Sequence, residues 1–457
     1  MYPRRTPTAL LFLLLCASAA HARTFPVKDY GAKGDGATLD THALQAALDA
    51  AAKAGGGTVL VTPGTYLTGS IFVKSHTTLE VQQGATLLGS QNLADYPEMP
   101  TRIAGIEMTW PAALINVYQQ TDANIEGPGL IDGNGKVFWD SYWSLRRQYD
   151  AKGLRWAADY DCRRPRLIQI YKSTRVRLSH ITLHRSGFWT VHICFSTGVT
   201  VNGVTIDNNI GGKGPSTDGI DIDSSRHILV EHADITDNDD ALCLKAGRDS
   251  DGLRVNRPTE DVALRDSVVR AGAAGFTIGS ETSGGFRNIE VDRIRVLAPV
   301  PNGILFKSAI TRGGWTDGIH IHDMEMEGVR VPIHITLNWN PQYSYATLPP
   351  GVANVPEYWK VLTTPVPRAQ GLAHFRNVSI SNIHATGAQT AFIVSAYPDA
   401  PLQNFRLSNI RIEAKNAGSI ENAENWTLTH VHVQTPGNAK IQLRDDHAVE
   451  CHDSDCQ

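Results

Sequence analysis

The sequence predicts an all-β protein, folded as a single-stranded right-handed parallel β-helix with one capping helix at its N-terminal end. Two observations predict this fold: a short strand pattern recurs along the chain, and no helical periodicity separates the repeats. Stacked coils produce such a pattern because each repeat forms one turn of a solenoid. A β-propeller is the alternative, although its blades would be more even in length.

The composition is that of a soluble globular protein. The chain has 457 residues, of which 42% are hydrophobic and 19% are charged, and its formal net charge is -4. This charge gives no electrostatic reason to bind nucleic acid, and an anionic substrate would need a local basic site. We interpret residues 23–457 as a single catalytic domain and expect a monomer without nucleic-acid or membrane partners.

The first 22 residues have the features of a signal peptide. Arg4 and Arg5 precede an apolar run over residues 9–17, and residues 20–22 (Ala-His-Ala) supply small side chains at the cleavage position. The apolar run is too short to span a bilayer. The sequence therefore predicts cleavage near Ala22 and a secreted or periplasmic protein.

Cysteine spacing favours structural roles. Cys451 and Cys456 lie close together in a polar segment, where a local disulfide can form in an oxidising compartment. Cys194 and Cys243 fall within apolar alternation and are expected to be buried thiols. The chain has no Cys-x-x-Cys pair or clustered histidine spacing, so we expect no metal and no cofactor.

Residues 40–54 form the one clear helical pattern. Asp40 or Thr41 can cap the start, and three glycines at residues 55–57 end it. The apolar stripe of this helix consists of Leu44, Ala47, Leu48 and Ala51. Short strands are predicted next at residues 58–61, 71–73 and 77–88.

From there one phrase repeats: apolar-x-apolar-x-x-apolar-x-apolar. It occurs at residues 176–183 and 199–206, and most copies begin roughly 20 to 35 residues after the previous one, a spacing typical of solenoids. Further copies begin at Ile228, Val262, Ile289, Ile319, Val378, Phe405 and Trp426. The two-residue break inside each copy indicates that the strand turns a corner there.

Two segments depart from the repeat. Residues 338–368 are rich in proline and aromatic residues, and a loop this long in a compact domain is usually functional. Its aromatic faces can stack on sugar rings and form a rim of the cleft, or they can pack on the coil. Residues 440–457 are read as a C-terminal tail.

Two aspartate clusters occupy the centre of the chain. The first holds Asp218, Asp221 and Asp223, and the second holds Asp237, Asp239 and Asp240. If each cluster borders a strand in consecutive turns, Asp218 lies beside Asp239 and Asp240. Carboxylates this close cannot all ionise cheaply, and a protonated acid beside an ionised one suits glycoside hydrolysis. A solvated turn or a calcium site is the alternative.

The sequence resembles glycoside hydrolase family 28, which contains polygalacturonases and rhamnogalacturonan hydrolases with a pectin-lyase-like coil. The resemblance covers nearly all of the chain after the signal peptide. Besides the aspartate clusters, it rests on residues 29–36, 57–66, 129–135, 189–192 and 279–285. It implies a pectic polysaccharide or oligosaccharide as the substrate.

The resemblance also implies catalytic roles. The family's Asn-Thr-Asp stands here as Ser216-Thr217-Asp218, and its Asp-Asp pair is intact as Asp239-Asp240. Asp239 would be the general acid, while Asp218 and Asp240 would activate water. Such an arrangement inverts the anomeric carbon, with carboxyls roughly 6.5–9.5 Å apart.

Two family motifs are altered. The polygalacturonase Gly-His-Gly is Gly272-Ala273-Ala274, and Arg-Ile-Lys is Leu305-Phe306-Lys307. In polygalacturonases the Arg and Lys would bind the carboxylate of the leaving-side sugar, so a leucine removes a bidentate partner. A neutral rhamnose would suit such an apolar wall. We therefore expect substrate contacts from Leu305 and Lys307, and also from Lys245 and Ser216.

These departures make a rhamnogalacturonan hydrolase the first interpretation and a polygalacturonase the alternative, since another arginine could enter from a loop. A catalytically weakened, pectin-binding β-helix is an alternative of another class. A pectate lyase is disfavoured, because no basic residue beside calcium carboxylates matches the lyase pattern. Retention of Asp218, Asp239 and Asp240 favours the hydrolase.

Overall fold

The computed structural model describes residues 23–352 and 354–457. The predicted signal peptide lies outside the described residues. Within them, 32 strands join in one hydrogen-bonded network of parallel pairs, and β8 (Glu98–Ile103) and β9 (Ile106–Pro111) form a separate antiparallel pair. The predicted parallel β-helix is therefore confirmed, and the β-propeller, whose blades are meanders, is wrong.

The strands are short in the N-terminal and central turns and longer towards the C-terminus. The first strands are β1 (Thr24–Pro26), β2 (Asp35–Leu39), β3 (Gly57–Val61), β4 (Gly64–Thr68), β5 (Ile71–Phe72), β6 (Thr77–Val81), β7 (Ala85–Gly89), β8, β9, β10 (Ile115–Tyr118), β11 (Asn124–Glu126) and β12 (Leu130–Asp132). The central strands are β13 (Ile168–Tyr171), β14 (Thr174–Ser179), β15 (Thr182–His184), β16 (Val191–Cys194), β17 (Thr197–Asn202), β18 (Thr205–Asp207), β19 (Ile220–Asp223), β20 (Arg226–Glu231), β21 (Asp234–Thr236) and β22 (Asp240–Lys245). The remaining strands are β23 (Thr259–Ala271), β24 (Ala274–Ile278), β25 (Phe286–Leu297), β26 (Asn302–Lys307), β27 (Thr316–Glu327), β28 (Val331–Thr336), β29 (Arg376–Ser395), β30 (Leu402–Glu421), β31 (Ala423–Glu424), β32 (Thr427–Gln434), β33 (Gln442–Arg444) and β34 (Glu450–His452).

The two-residue break in each repeated phrase is a corner of the coil. The second residue of the break has a φ between 51° and 65° in all nine copies. Glycine, asparagine and aspartate adopt this left-handed conformation most readily, which explains much of the residue choice at the break. The corner residues are His180, Gly203, His232, Asp266, Arg293, Asp323, Asn382, Asn409 and His430.

One column of parallel strands carries the candidate site on its outer face. In this column β10, β13, β16, β19, β22, β24, β26 and β28 stack in register. Alternate residues point inwards, so Ile220 and Ile222 join the apolar core. Their neighbours Asp221 and Asp223 point outwards, yet both are fully buried because further segments cover this face.

The predicted N-terminal helix is confirmed as α1 (Thr41–Lys53), and its stripe of Leu44, Ala47, Leu48 and Ala51 is buried against the end of the coil. Asp40 precedes the helix, but its side chain makes no capping bond. Its carboxylate instead accepts hydrogen bonds from the backbone amides of Lys33 and Gly34, at 2.7 and 2.9 Å. Asp40 therefore fixes the preceding turn.

The expectation that the repeats lack helices between them is wrong. The helices after α1 are α2 (Lys136–Asp150), α3 (Ala158–Asp161), α4 (Asp249–Val255), α5 (Pro341–Ser344), α6 (Glu357–Thr363) and α7 (Arg368–Gly371), and three short 3₁₀ segments span Val27–Tyr30, Leu93–Asp95 and Arg155–Ala157. The buried side of α2 is aromatic (Phe138, Trp139 and Tyr142). Because aromatic residues are only moderate helix formers, tertiary packing stabilises α2 more than intrinsic helix propensity does.

Three segments outside the coil pack together over the site column: the β8–β9 hairpin, the insertion at residues 133–167, and the loop at residues 338–368. Together with Phe188 and Trp189, which lie between β15 and β16, these segments form one apolar cluster that also contains Ile103, Ala104, Ile106, Trp110, Leu154, Trp156, Ala157, Tyr160, Trp359 and Leu362. The long loop therefore packs on the protein through Trp359, while its first residues lie at the cavity described below.

Residues 440–457 contribute strands β33 and β34, which pair with β30 and β32 and extend the coil. Cys451 and Cys456 form a disulfide there. Cys194 and Cys243 are buried free thiols, as expected. Among the described residues, no helix combines the length and apolar character needed to cross a membrane.

Candidate active site

The three aspartates that the motifs single out lie together on the outer face of the site column. Asp218 lies two residues before β19, Asp239 immediately precedes β22, and Asp240 is the first residue of β22. These strands are parallel neighbours, and the Gly219 amide donates to the Asp240 carbonyl at 2.9 Å. Register alone thus brings the three carboxyls to one cavity of about 130 Å³.

Two lysines supply the positive charge of this cavity. Lys245 Nζ lies 3.2 Å from Asp218, 3.4 Å from Asp221 and 3.4 Å from Glu281. Lys307 Nζ lies 2.6 Å from Asp240 Oδ2. Both ammonium groups are almost fully buried, so each depends on its carboxylates to offset the loss of hydration.

The carboxyl of Asp239 favours the protonated form. Burial, together with the neighbouring Asp218 and Asp240 charges, raises the pKa of Asp239 well above its usual value. Burial and Asp221 raise the pKa of Asp218 likewise, although Lys245 opposes this shift. A protonated carboxyl beside ionised ones is the condition for general acid catalysis at neutral pH.

Further acids lie beneath the cavity. Burial raises the pKa of Asp221 to about 7 against the opposing effect of Lys245, and burial with the neighbouring Asp218 raises the pKa of Asp237 well above its usual value. Neither oxygen of Asp237 has a hydrogen-bond partner among the described residues. Asp223 differs, because its carboxylate pairs with Arg102 at 2.8 Å. These groups shape the field below the reacting carboxyls.

The calcium alternative can be tested on the donor atoms. Asp218, Asp240 and Cys243 each place one potential ligand atom within 4.8 Å of the others. However, Lys245 and Lys307 already lie against the two carboxylates at 3.2 and 2.6 Å. A cation here would meet two ammonium groups and a thiol whose pKa is raised by burial, so the donor set does not fit calcium.

The same spacing does suit a water molecule. A water that hydrogen-bonds two carboxylate oxygens lies about 2.8 Å from each, and the oxygens of Asp218 and Asp240 fall within 4.8 Å. Asp239 also lines the cavity and is partly exposed to it. The arrangement can therefore hold a proton at Asp239 while two other carboxyls hold a nucleophilic water.

Ser216 lies on one wall of the cavity and bonds Asp159 rather than a catalytic carboxyl, with Oγ donating to Oδ1 at 2.8 Å. The opposite wall comes from the long loop, where Trp339, Asn340 and Tyr343 line the cavity. The Trp339 ring lies 4.8 Å from Lys307 Nζ. The first residues of the loop thus form a rim of the cavity.

Leu305 is the one predicted substrate contact that the structure does not bring to the cavity. Its side chain is 0% exposed, it is absent from the cavity lining, and it lies between Thr277 and His334 of the neighbouring strands. An apolar wall for rhamnose at Leu305 therefore has no support in the geometry.

Several cavity residues escaped the sequence analysis. Arg155 and Asp159 come from the insertion between β12 and β13. Glu281 pairs with Lys245 and accepts a hydrogen bond from Tyr343 Oη at 2.9 Å. The buried aromatics of α2 were the available signal for the insertion, but nothing in the sequence pointed to its contact with Tyr343.

His192 and Trp189 lie under and beside the cavity. His192 is fully buried and shares a 2.8 Å hydrogen bond with Arg166, while burial lowers its pKa to about 4. Trp189 lines the cavity and packs its ring 4.8 Å from Lys245 Nζ. His192 thus has a packing role, and Trp189 both packs and shapes the wall.

A parallel β-helix whose outer face gathers three carboxylates and two lysines in one cavity defines a polysaccharide-cleaving hydrolase. Residues 73–356 match the sequence model of glycosyl hydrolases family 28, and residues 24–94 match the one described as rhamnogalacturonase A/epimerase, pectate lyase-like. The first match covers more than half of the chain. The chain belongs to glycosyl hydrolase family 28, whose members act on pectin.

Named relatives support this assignment. A probable polygalacturonase from Vitis vinifera is 29% identical over 426 residues, which cover 91% of this chain and 79% of that protein. The crystal structure of a hyperthermoactive exopolygalacturonase from Thermotoga maritima matches with 26% identity and a TM-score of 0.74, covering 86% and 87% of the two chains. A family 28 exopolygalacturonase from Yersinia enterocolitica shares the fold, with 21% identity, a TM-score of 0.77 and coverage of 94% and 78%.

Proposed function

We propose that this chain is a polygalacturonase that hydrolyses the α-galacturonosyl bonds of homogalacturonan. The observation that carries the proposal is the convergence of Asp218, Asp239 and Asp240 with Lys245 and Lys307 in one cavity. The relatives named above are polygalacturonases. The preference for rhamnogalacturonan depended on Leu305 facing the substrate, and this side chain is fully buried.

In the proposed reaction, Asp239 donates its proton to the glycosidic oxygen as the bond to the anomeric carbon breaks. Its raised pKa keeps that proton available at neutral pH. Asp240, paired with Lys307, and the adjacent Asp218 accept the proton of the attacking water. Attack from the face opposite the leaving group inverts the configuration at the anomeric carbon.

The cavity also supports cleavage at a chain end. The insertion and the long loop meet there, with the Arg155 guanidinium 5.0 Å from the centre of the Tyr343 ring. Arg248 binds both segments, donating to Tyr160 Oη at 3.0 Å and to the Tyr343 carbonyl at 2.8 Å. Because these two joined segments form part of the cavity wall, we expect one terminal sugar ring to bind there.

The test is a side-by-side assay of purified enzyme on polygalacturonate and on rhamnogalacturonan. We expect new reducing ends from polygalacturonate, released mostly as monomer, with no absorbance from an unsaturated product. Proton NMR of the first products should show inverted anomeric configuration. Preferential cleavage of rhamnogalacturonan would restore the first interpretation of the sequence, and an unsaturated product would identify a lyase.

Binding without turnover on either polymer would instead support the weakened, pectin-binding β-helix. The Asp239→Asn variant is the matched control for that outcome, because it removes the proposed acid and keeps the shape of the side chain. Equal turnover by wild type and this variant would exclude Asp239 as the general acid. Export and a monomeric state remain predictions, checked by fractionation of the source cells and by light scattering.

A further inference from the structure

Family 28 polygalacturonase motifs place an arginine where this chain has Leu305, so the proposed acidic substrate lacks that fork-shaped partner. Lys307 is retained, but its ammonium already lies 2.6 Å from Asp240. Lys245 is likewise shared among Asp218, Asp221 and Glu281. Both lysines of the sheet are therefore engaged by the protein's own carboxylates, and a substrate carboxylate needs another cation.

Arg155 is a cation in the cavity wall that comes from outside the coil. It lies in the 3₁₀ segment Arg155–Ala157, in the insertion between β12 and β13, and its side chain is 12% exposed. Its guanidinium donates to Asp159 Oδ2 at 2.9 Å and lies over the Tyr343 ring. Its Nε is buried without a hydrogen-bond partner among the residues the structure describes.

Arg155, Arg164 and Asp159 together carry one net positive charge. Arg155 and Arg164 both bind Asp159, each at 2.9 Å, so two guanidinium groups share one carboxylate. Burial opposes ionisation of Asp159, but the two arginines outweigh it and lower its pKa to about 2. Arg164 is fully buried and also donates to the Pro215 carbonyl at 2.7 Å. The surplus charge therefore reaches the cavity through Arg155.

The surroundings of Arg155 also fix its orientation. Asp159 is held by Arg164 and by Ser216 Oγ, and the Tyr343 ring covers one face of the guanidinium. The hydroxyl of Tyr343 donates to Glu281, which pairs with Lys245. A planar donor held in this way loses little conformational freedom when it binds a carboxylate.

We propose that Arg155 binds the carboxylate of the galacturonate unit in the cavity and supplies the guanidinium group that the sheet lacks. This inference rests on the proposed polygalacturonase function and assigns its acid specificity to the insertion rather than to the sheet. Arg155 is a substrate-binding residue here and takes no part in proton transfer.

The experiment measures binding, so that it does not depend on turnover. Calorimetry compares trigalacturonate with its fully methyl-esterified form, both titrated into the Asp239→Asn variant and into that variant carrying Arg155→Gln or Arg155→Lys. We expect Arg155→Gln to weaken trigalacturonate binding by about 10- to 100-fold, the range for a lost hydrogen bond to a charged group. Binding of the ester should change less than about threefold, because a neutral ester forms no ion pair.

Arg155→Lys should retain part of the preference for the acid, since the charge stays while the fork is lost. The matched control is Arg146→Gln, which breaks an exposed pair with Asp150 at the same i,i+4 spacing outside the cavity. It should leave both affinities unchanged. Thermal unfolding of each variant identifies losses caused by a damaged fold.

If Arg155→Gln weakened the binding of trigalacturonate and of its ester equally, the inference would be overturned and Arg155 would have a structural role only. An unchanged preference for the acid would also overturn it, as would a parent variant that does not bind trigalacturonate. A failure of the proposed function would give another result. Wild type would not hydrolyse polygalacturonate, while Arg155→Gln would still reduce the preference for binding the acid over the ester.

Discussion

Replacing Lys245 by methionine tests whether this ammonium group keeps the water-activating carboxyls ionised. Its three carboxylate partners lie 3.2 to 3.4 Å away. At an effective dielectric constant of about 20, each pair of unit charges this close attracts by about 5 kcal/mol. The free-energy cost of burying the ammonium group offsets most of this attraction. Removing one partner of a buried ion pair typically destabilises the protein by about 3–5 kcal/mol net.

Removal of the Lys245 charge should change the pH dependence of activity. Lys245 lowers the pKa of Asp218 against the larger effects of burial and Asp221, so its removal raises that pKa further. In the proposed reaction the water-activating carboxyls act in the ionised form. We expect the acid limb of the kcat/KM profile on polygalacturonate to move up by at least about one pH unit, which corresponds to about 1.4 kcal/mol.

Methionine keeps the length of the side chain and its packing beside the Trp189 ring. The matched control is Lys136→Met, because Lys136 forms a 2.7 Å ion pair with Asp140 on the exposed face of α2. It should leave both the pH profile and Tm unchanged. An acid limb that stays in place in a folded Lys245→Met enzyme would refute the argument that Lys245 controls the ionisation of Asp218.

Three further predictions concern single side chains. Asp239→Asn should lower kcat on polygalacturonate by about 10²–10⁴-fold without changing Tm, as expected for loss of a general acid; near wild-type turnover would exclude Asp239 from that role. Leu305→Arg should destabilise the fold by about 3 kcal/mol or more, because an unpaired charge would enter a fully buried position; an unchanged Tm would mean that this side chain reaches solvent. Asp237→Asn should gain stability relative to wild type as pH rises. The raised pKa of Asp237 means that its contribution is fully present below the unfolded pKa of about 4 and is lost as pH rises through the folded pKa. Over that window the difference should grow by up to about 1.4 kcal/mol per pH unit, and a difference in Tm that is flat between pH 4 and 8 would contradict it.

The parallel β-helix could be predicted from the sequence because its requirements are local. An inward-facing residue at every second position and a corner residue such as Asn382 or Asn409 are local requirements that repeat in every turn. Because consecutive turns stack in register, the same pattern also placed Asp218 beside Asp239 and Asp240. The capping helix α1 could also be predicted from the sequence, because its apolar stripe and the glycines at its end are local signals.

The residues that surround the carboxyls of Asp218, Asp239 and Asp240 could be identified only from the tertiary structure. Arg155 and Tyr343 lie on segments inserted at opposite sides of the catalytic turns, and their contact depends on non-repeating side-chain packing that no local pattern encodes. The tertiary structure also buries Leu305, whose alternation alone indicated only an outward direction. Periodicity therefore fixes which residues face outwards, whereas the segments that cover the sheet decide which of them meet a substrate, because burial and charge pairing depend on contacts distant in the chain.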